Sequence, residues 1–404
     1  MKKSNKKKWI RARHRVVRNI LNFVLRPYVR LKYGMRAERF REQEDRPYLI
    51  LYNHQTPFDQ FFVGMSFRGA VYYLATEDIF SKGWVSSLIK YLVAPIPIKK
   101  QTTDVKAILN CIRVAKEGGA IAIAPEGNRT YSGRTEYMSP SIVPLARKLN
   151  MPIALYRIEG GYGAEPRWSD VVRRGPMKSY VARVVYPEEY KAMTDDELFA
   201  IIKETLYVNE AQVNGEYRHK KCAEYLERAI YVCPECGLSS FESHGDVVEC
   251  LKCHRKIRYL PTKELQGVGF EFPFRFVADW YDYQADFINH VDVTAYDREP
   301  MYRDVVELRN VIPYQKKEIL SDSAEVLLYG DRIEIRMDGE ARLLPFDDVA
   351  ATAVLGRNKL NVYHGDRIYQ FKGGKRFNAL KYVHVYHRYQ HIKKGEKDGE
   401  FLGL

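Results

Sequence analysis

The sequence predicts an α/β fold with a mixed sheet flanked by helices, joined to a small cysteine-containing module and a β-rich C-terminal domain. Two apolar runs, residues 48–52 and 120–124, have the length and composition of buried strands, and each is followed at once by a polar segment. Two pairs of cysteines lie between residues 233 and 253, and short alternating strands separated by turn residues begin at Ala324. With 404 residues, of which 46% are hydrophobic and 29% charged, the chain has the composition of a globular protein of more than one domain.

The two polar segments form the candidate site. The first runs from Asn53 to Asp59, and the second runs from Pro125 to Arg129. Ligands bind at the carboxyl ends of strands in open α/β sheets, so we expect the two segments to form two walls of one site. His54 and Asp59 offer a base and a carboxylate that orients it, and Arg129 offers a cation suited to phosphate.

Asp59 also has an explanation that needs no chemistry. Thr56 and Pro57 are typical of an N-cap and a first helical residue, which would put Asp59 at the third helical position. An acid there stabilises the free amides of the first turn. The spacing therefore leaves two roles open for Asp59, a helix cap and a partner for His54.

At these motifs the chain resembles the glycerolipid acyltransferase family, whose best-known members are the 1-acyl-sn-glycerol-3-phosphate acyltransferases. The resemblance is carried by an Asn-His-x4-Asp motif and a Pro-Glu-Gly-x-Arg motif, which consist of Asn53, His54, Asp59, Pro125, Glu126, Gly127 and Arg129. Residues 94–100 are similar to the family's intermediate motif, and the likeness covers residues 35–190. The chain departs from the family at Ala124, Asn128 and Lys100, where an aromatic residue, threonine and arginine are more usual.

The resemblance implies an acyltransferase domain that transfers an acyl group directly, without a covalent enzyme intermediate. His54 would take the proton of a glycerol hydroxyl as that oxygen attacks a thioester carbonyl, and Asp59 would orient His54 and stabilise its charge. A covalent route has little support, because the chain has no Gly-x-Ser-x-Gly motif and Cys111 lies at a helical spacing typical of a core residue.

The resemblance also implies a set of substrate-binding residues. Arg129 and Lys100 would hold the phosphate of the acceptor, although a lysine lacks the bidentate grip of arginine. Glu126 would bind a glycerol hydroxyl or position Arg129, and backbone amides near Gly127 are candidates for the oxyanion donors. Asn53 completes the set.

The basic residues are concentrated at the amino terminus. The formal net charge is +14, yet residues 1–36 contain thirteen Lys and Arg and no acidic residue, which leaves 52 basic and 51 acidic residues in the rest. Within this segment, apolar residues recur at helical spacing with arginines on the other side: Trp9, Ile10, Val16, Val17, Ile20, Leu21 and Val24 against Arg11, Arg15 and Arg18. The pattern predicts an amphipathic basic helix that binds an anionic phospholipid membrane.

We therefore expect a peripheral protein on the cytoplasmic face of the cell membrane. No apolar run approaches the ~20 residues that a spanning helix needs, and charges interrupt the amino terminus too often for a secretory signal. A nucleic-acid-binding arm and a disordered tail are alternatives, but the regular apolar residues favour lipid, and no nucleic acid is expected as a partner.

Four cysteines have the spacing of a zinc ribbon: Cys233, Cys236, Cys250 and Cys253. Two Cys-x2-Cys pairs at this separation predict a tetrahedral structural zinc, because four thiolates leave no open position on the metal. Two disulfides are the alternative, which would require an oxidising compartment. His254 is a weak alternative ligand.

The remaining patterns suggest four domains: residues 1–36, 37–229, 230–262 and 263–404. Residues 194–228 are predicted to be a helix with Thr194 as its N-cap, and residues 376–392 a terminal helix. Hairpin turns are predicted at residues 329–331, 337–339 and 364–366. Antiparallel strands closed by one helix resemble a pleckstrin-homology-like barrel.

Two classes of function follow from these observations. The first is a membrane-surface acyltransferase of phospholipid biosynthesis that acylates a lysophospholipid, most simply lysophosphatidate, from acyl-coenzyme A or acyl carrier protein; glycerol 3-phosphate is another acceptor. The second is a non-catalytic adaptor that keeps the fold and binds membrane or partner proteins. The presence of both His54 and Asp59 favours the enzyme, because an adaptor needs no base.

Overall fold

A computed structural model describes residues 8–76, 79–80, 83–98, 104–312, 317–397, 399 and 401. These residues fall into two compact units. The first unit contains the chain up to Asn128 together with Met138–Gly161 and Pro176–Asn209, and the second contains Arg129–Tyr137, Tyr162–Gly175 and the chain from Glu210 onward. The four domains proposed from the sequence remain a prediction.

The first unit is built on a seven-stranded mixed sheet, as the sequence predicts. Its strands, in chain order, are β1 (Met35–Ala37), β2 (Leu49–Tyr52), β3 (Val71–Thr76), β4 (Ile96–Ile98), β5 (Ala120–Ile123), β6 (Ile153–Glu159) and β7 (Met177–Val185). Their order across the sheet is β1-β7-β6-β2-β5-β3-β4. Strands β2 to β6 are parallel, β7 runs antiparallel to β6, and β1 is parallel to β7. The central strands β2 and β5 are buried along their whole length, which explains why both are continuously apolar.

Helices cover both faces of this sheet. They are α1 (Ala12–Tyr33), α2 (Asp59–Ser66), α3 (Trp84–Val93), α4 (Val105–Lys116), α5 (Ile142–Leu149), a short α6 (Gly161–Ala164), α7 (Pro187–Tyr190) and α8 (Asp195–Leu206). Helix α1 contacts α2 and α3, whereas α4 contacts α5, which contacts α8. Right-handed crossovers place the two groups on opposite faces of the sheet. The chain moves from β2 toward the β4 edge through α2 and α3, and it returns toward β6 through α4 and α5.

Helix α1 packs on the protein through the buried Val29 and Tyr33 near its end and through polar side chains in its middle, and it exposes other apolar residues. Arg18 Nε and Asn22 Nδ2 donate to the carbonyl oxygen of Gly64 at 3.2 and 3.0 Å, and Arg26 Nη2 donates to that of Met65 at 2.9 Å. The opposite side is an apolar stripe open to solvent, formed by Val16, Ile20, Phe23, Val24 and Leu31. Among the described residues, no helix combines the length and apolar character that crossing a bilayer requires.

The prediction that Trp9 and Ile10 belong to the exposed apolar side is wrong. Both precede α1 and pack against the core of the first unit. Trp9 Nε1 donates to the carbonyl oxygen of Ala94 at 3.0 Å, and the Ile10 amide donates to Glu117 Oε2 at 2.9 Å. The polar atoms of both residues find partners on the protein, which anchors the chain just before the helix begins.

The second unit contains small antiparallel sheets around the cysteine pairs. The first sheet pairs β8 (Val232–Cys233) with β9 (Gly237–Leu238), and the second contains β10 (Phe241–His244), β11 (Val247–Cys250), β12 (Lys256–Tyr259) and β13 (Leu265–Gly267). Helix α9 (Val277–His290) follows.

A seven-stranded antiparallel half-barrel completes the second unit, so the β-rich C-terminal domain is confirmed. Its strands are β14 (Tyr302–Asn310), β15 (Glu318–Leu328), β16 (Arg332–Met337), β17 (Glu340–Pro345), β18 (Val349–Leu355), β19 (Lys359–His364) and β20 (Arg367–Gly373), in the order β17-β16-β15-β14-β20-β19-β18. The edge strands β17 and β18 are joined by three residues, so the sheet must curl until its edges are close. The three predicted hairpin turns are confirmed, and the terminal helix α10 (Leu380–Lys393) begins four residues later than predicted.

The predicted helix over residues 194–228 is correct at its start and wrong at its end. Thr194 Oγ1 accepts a hydrogen bond from the Glu197 amide at 3.2 Å, and Glu197 Oε2 accepts one from the Thr194 amide at 2.7 Å, which is a complete capping box. The helix ends at Leu206, where Tyr207 turns to an extended backbone conformation. Poor helix formers such as Asn209 and Gly215 follow, and they outweigh the apolar spacing further along the chain.

We expect Thr194→Ala to destabilise the first unit by about 1 kcal/mol, because the amides at the start of α8 lose their acceptor. Urea unfolding should show this as a lower midpoint. Thr194→Asp, which retains an acceptor, should unfold close to the wild type. An unchanged midpoint for Thr194→Ala would show that this capping box contributes no stability.

Candidate active site and cysteine cluster

His54 and Asp59 form a hydrogen-bonded pair at the start of α2. Asp59 Oδ2 lies 2.7 Å from His54 Nδ1, and the Asp59 side chain is fully buried while that of His54 is 25% exposed. A carboxylate only accepts hydrogen bonds, so Nδ1 carries the proton, and in the neutral imidazole the lone pair is then on Nε2. No hydrogen-bond partner of Nε2 lies in the described part of the chain. This tautomer is the one that a general base requires.

Asp59 also holds the turn that precedes α2, so both roles left open by the sequence are present. Its carboxylate accepts from the Gln55 amide at 2.6 Å, from the Thr56 amide at 2.9 Å and from Thr56 Oγ1 at 2.7 Å. The helix begins at Asp59, two residues later than Thr56 and Pro57 suggested. Thr56 Oγ1 still accepts from the Phe58 amide at 3.1 Å, as a capping residue would.

Asn53 ties the end of β2 to β6. It is fully buried, its Nδ2 donates to the carbonyl oxygen of Ile158 at 2.8 Å, and its Oδ1 accepts from the Ile158 amide at 2.8 Å. Both polar groups of the side chain are therefore occupied by the backbone. The contacts of Asn53 are those of a residue that positions the His54 turn.

Glu126 joins the two polar segments. Strands β2 and β5 are parallel neighbours with Leu51 opposite Ile123, so the residues after the two strands lie side by side. Glu126 is buried, and its Oε1 accepts from the backbone amide of His54 at 2.8 Å. The structure thus places Glu126 of the second polar segment beside His54 of the first.

The other predicted substrate-binding residues fall in three different situations. Gly127 has φ +69°, a conformation that favours glycine, and its amide donates to the carbonyl oxygen of Ala124 at 3.0 Å. That amide is therefore already used, and the oxyanion donors expected among the backbone amides near Gly127 stay a prediction. Arg129 belongs to the second unit, where its carbonyl oxygen accepts from Arg167 Nη1 at 2.9 Å. Lys100 lies outside the described residues.

The four paired cysteines converge in the second unit. Their sulfur atoms all lie within 4.8 Å of one another, and the Sγ atoms of Cys233 and Cys253 are 3.8 Å apart. A tetrahedral metal with bonds of about 2.3 Å to sulfur separates its ligands by about 3.8 Å, so the donor set fits zinc. All six cysteines lie in the described part of the chain and are free thiols, in contrast to the disulfide alternative.

The backbone around the cysteines supports the same geometry. Burial lowers the tendency of Cys250 to ionise, but backbone amides of Cys253 and Lys252 hydrogen-bond to it and its pKa is lowered on balance. Gly237, with φ +68°, makes the turn after the first pair. His254 is exposed and hydrogen-bonds to Glu249 Oε1 at 3.0 Å, so it takes no part in the cluster.

Sequence reasoning missed the positioning contacts of the candidate site. Neither the partner of Asn53 nor that of Glu126 is adjacent in sequence, and both contacts involve backbone groups. Gly161 is a third example, because a Cβ atom there would lie 2.5 Å from that of Gln55. The paired glycines 160–161 after β6 were the available signal.

Cys111 is a core residue as predicted, and burial raises its pKa to about 12.

Comparison with known proteins places these features in an acyltransferase context. Residues 35–157, which contain both polar segments, match the model of the family described as Acyltransferase. The match supports an acyltransferase, and it covers less than half of the chain.

Two curated relatives carry a more specific name. The chain is 21% identical over 136 residues to a 1-acyl-sn-glycerol-3-phosphate acyltransferase of Bacillus subtilis (strain 168), which covers 34% of this chain and 65% of the relative. It is 21% identical over 156 residues to the chloroplastic 1-acyl-sn-glycerol-3-phosphate acyltransferase BAT2 of Brassica napus, which covers 38% of this chain and 44% of the relative. The chain thus spans less than two thirds of the length of each.

A solved structure is also similar. The crystal structure of PlsC, the 1-acyl-sn-glycerophosphate acyltransferase from Thermotoga maritima, aligns with a TM-score of 0.42 and 21% identity over 48% of this chain and 78% of that chain.

Proposed function

We propose that this protein transfers a fatty acyl group from a thioester donor to the free glycerol hydroxyl of a lysophospholipid in phospholipid biosynthesis. The observation that carries the proposal is the His54 and Asp59 pair, in which a buried carboxylate holds Nδ1 of a partly exposed imidazole and so directs the lone pair of the neutral ring to Nε2. Lysophosphatidate is the acceptor of choice, because both curated relatives are named for it. Acyl-coenzyme A and acyl carrier protein are the candidate donors.

The reaction needs one base and no covalent enzyme intermediate. Nε2 of His54 takes the proton of the acceptor hydroxyl while its oxygen bonds to the thioester carbonyl carbon. The tetrahedral intermediate then expels the thiolate, which receives that proton from the imidazolium, so an ester and a free thiol result. Asp59, whose Oδ2 lies 2.7 Å from Nδ1, stabilises the imidazolium.

The neighbouring residues divide into positioning and binding roles. Asn53 is hydrogen-bonded to the backbone of Ile158, and Glu126 accepts a hydrogen bond from the backbone amide of His54. The two contacts fix the position of the base before substrate binds. Arg129 and Lys100 are proposed to hold the acceptor's phosphate, Arg129 by two parallel hydrogen bonds and Lys100 as a point charge.

We also propose that α1 docks the enzyme on the cytoplasmic face of the membrane. The helix contains no acidic residue, and its apolar stripe is open to solvent, with Phe23 83% and Leu31 70% exposed. An amphipathic helix of this kind lies in the interface of an anionic membrane, where the lysophospholipid is found.

The second unit is proposed to contain a structural zinc bound by the four converging cysteines. The 3.8 Å separation of Cys233 and Cys253 supports it, and four thiolates leave the metal no open position for chemistry. The half-barrel with α10 after it supports a pleckstrin-homology-like assignment for the C-terminal domain, because two antiparallel meanders, β14 to β17 and β18 to β20, precede a terminal helix.

His54→Ala should lower acyl transfer to lysophosphatidate by roughly two to four orders of magnitude, since the general base is lost. Asp59→Asn should also impair turnover, because the neutral amide no longer stabilises the imidazolium, while it keeps an oxygen for the Gln55 and Thr56 amides. Turnover and thermal unfolding are measured for each. Near wild-type turnover of His54→Ala would refute the mechanism, and an Asp59→Asn variant that loses stability alone would leave Asp59 as a cap.

The protein purified under reducing conditions should contain one zinc per chain. Replacing Cys233 and Cys236 with serine should remove the metal and destabilise the second unit, because metal binding and folding are coupled. Cys111→Ala is the control, since Cys111 lies outside the cluster and should keep the full zinc content. Mass spectrometry of the intact holoprotein measures the metal, and a metal-free wild type would exclude the site.

Phe23→Glu should weaken binding to anionic vesicles at least about tenfold, because a buried aromatic side chain contributes roughly 1.5–3 kcal/mol. Asn19→Glu is the control, because it changes the charge of α1 by the same amount outside the apolar stripe. It should lose less vesicle affinity, and that loss measures the effect of charge alone. Activity on acceptor in bilayers should fall with Phe23→Glu, and activity on dispersed short-chain acceptor should not. Equal losses from the two variants would leave charge as the only attraction.

A further inference from the structure

An open groove of about 560 Å³ in the first unit is rich in arginine. Arg26 comes from α1, the segment after β1 provides Glu38, Arg39, Arg41 and Glu42, and Tyr180 of β7 lies at its wall. None of these residues has a part in the proposed acyl transfer. The groove is therefore a surface that the reaction does not explain.

Arg39 and Arg41 form no ion pair with any described residue, although the groove also contains two carboxylates. Within the described ranges, no carboxylate lies within 4.0 Å of a guanidinium nitrogen of Arg39 or Arg41, although Glu38 and Glu42 line the same groove. Burial lowers the pKa of Arg26, and the positive charge of Arg39 lowers it further. Guanidinium groups gathered in this way repel one another, and an anion placed between them would remove the repulsion.

The groove is separate from the site at His54. Arg26 is bonded to the carbonyl oxygen of Met65 near the end of α2, whereas His54 precedes the start of that helix. Eight helical residues separate these two levels by about 12 Å. The phosphate of an acceptor placed for reaction at His54 and an anion in the groove are thus different groups.

The position of the groove beside α1 indicates where such an anion would come from. At 3.6 residues per turn, Arg26 lies about 110° around α1 from the centre of the apolar stripe. When the stripe enters a membrane interface, side chains at the flank of the helix lie at the level of the lipid phosphates. Arg39 and Arg41 reach the same groove from the body of the unit.

We propose that this groove binds the phosphodiester headgroup of an anionic phospholipid, which is a second lipid site distinct from the acyl acceptor. Arg26, Arg39 and Arg41 face the phosphate, and Glu38 and Glu42 accept hydrogen bonds from headgroup hydroxyls. The carboxylates make a headgroup with such donors a better ligand than a bare anion. The bound lipid would fix the orientation of the enzyme on the membrane, a step beyond the docking by α1 on which this inference rests.

The test compares two double variants of the full chain. Arg39→Gln with Arg41→Gln removes two arginines of the groove. Lys116→Gln with Lys148→Gln removes the same charge from exposed positions on α4 and α5, on the opposite face of the sheet. Both are bound to vesicles of phosphatidylcholine with and without phosphatidylglycerol. We expect the groove variant to lose about 30-fold in the phosphatidylglycerol-dependent affinity and the control less than about threefold. Equal losses would overturn the proposal.

Calorimetry with dispersed short-chain phosphatidylglycerol and with inorganic phosphate identifies the ligand without a membrane. A headgroup site binds the dispersed lipid, loses it in the groove variant, and binds inorganic phosphate more weakly. Inorganic phosphate bound as tightly as the lipid would overturn the headgroup assignment in favour of a free phosphate. If α1 does not dock, all variants fail to bind vesicles, yet the dispersed lipid still reports on the groove.

Discussion

The buried carboxylate of Asp59 is the group on which the candidate site depends. A fully buried charge is tolerated only when hydrogen bonds replace its hydration, and Asp59 obtains them from His54, from two backbone amides and from the Thr56 hydroxyl. The same bonds that stabilise the carboxylate shape the turn and fix the imidazole. The tautomer of His54 is thus a consequence of how the helix begins, and a change that moves α2 would move the base as well.

A second layer of contacts holds this turn against the sheet. Asn53 reaches across to β6 and Glu126 reaches back from the end of β5, so the His54 turn is fastened to both strands that neighbour β2. Each contact pairs a side chain with backbone, which makes it insensitive to the identity of the partner residue. The base therefore rests on three adjacent strands of the sheet and not on a mobile loop.

The sequence was sufficient for the parts of the structure that depend on local chemistry. Parallel strand ends meet at one edge, so His54 and Glu126 could be assigned to one place, and the N-cap at Thr194 and the cysteine spacing were equally explicit. It failed where a long-range contact decides the outcome. Trp9 fits the helical pattern of α1, yet its indole finds the carbonyl oxygen of Ala94, 85 residues away, and leaves the helix.

Helix α1 turns several polar side chains toward the protein and several large apolar side chains toward solvent. A surface helix of a globular protein turns its apolar side inward, as α1 does with Val29 and Tyr33, but Arg18, Asn22 and Arg26 also face the protein and donate to carbonyl groups at the end of α2. Cations at a helix C-terminus are favoured by the helix dipole, so this attachment stabilises both helices. It also leaves the opposite side of the helix, with Phe23 and Leu31, exposed. In water that exposure is unfavourable, and this exposed stripe is the observation from which the proposed membrane docking is argued.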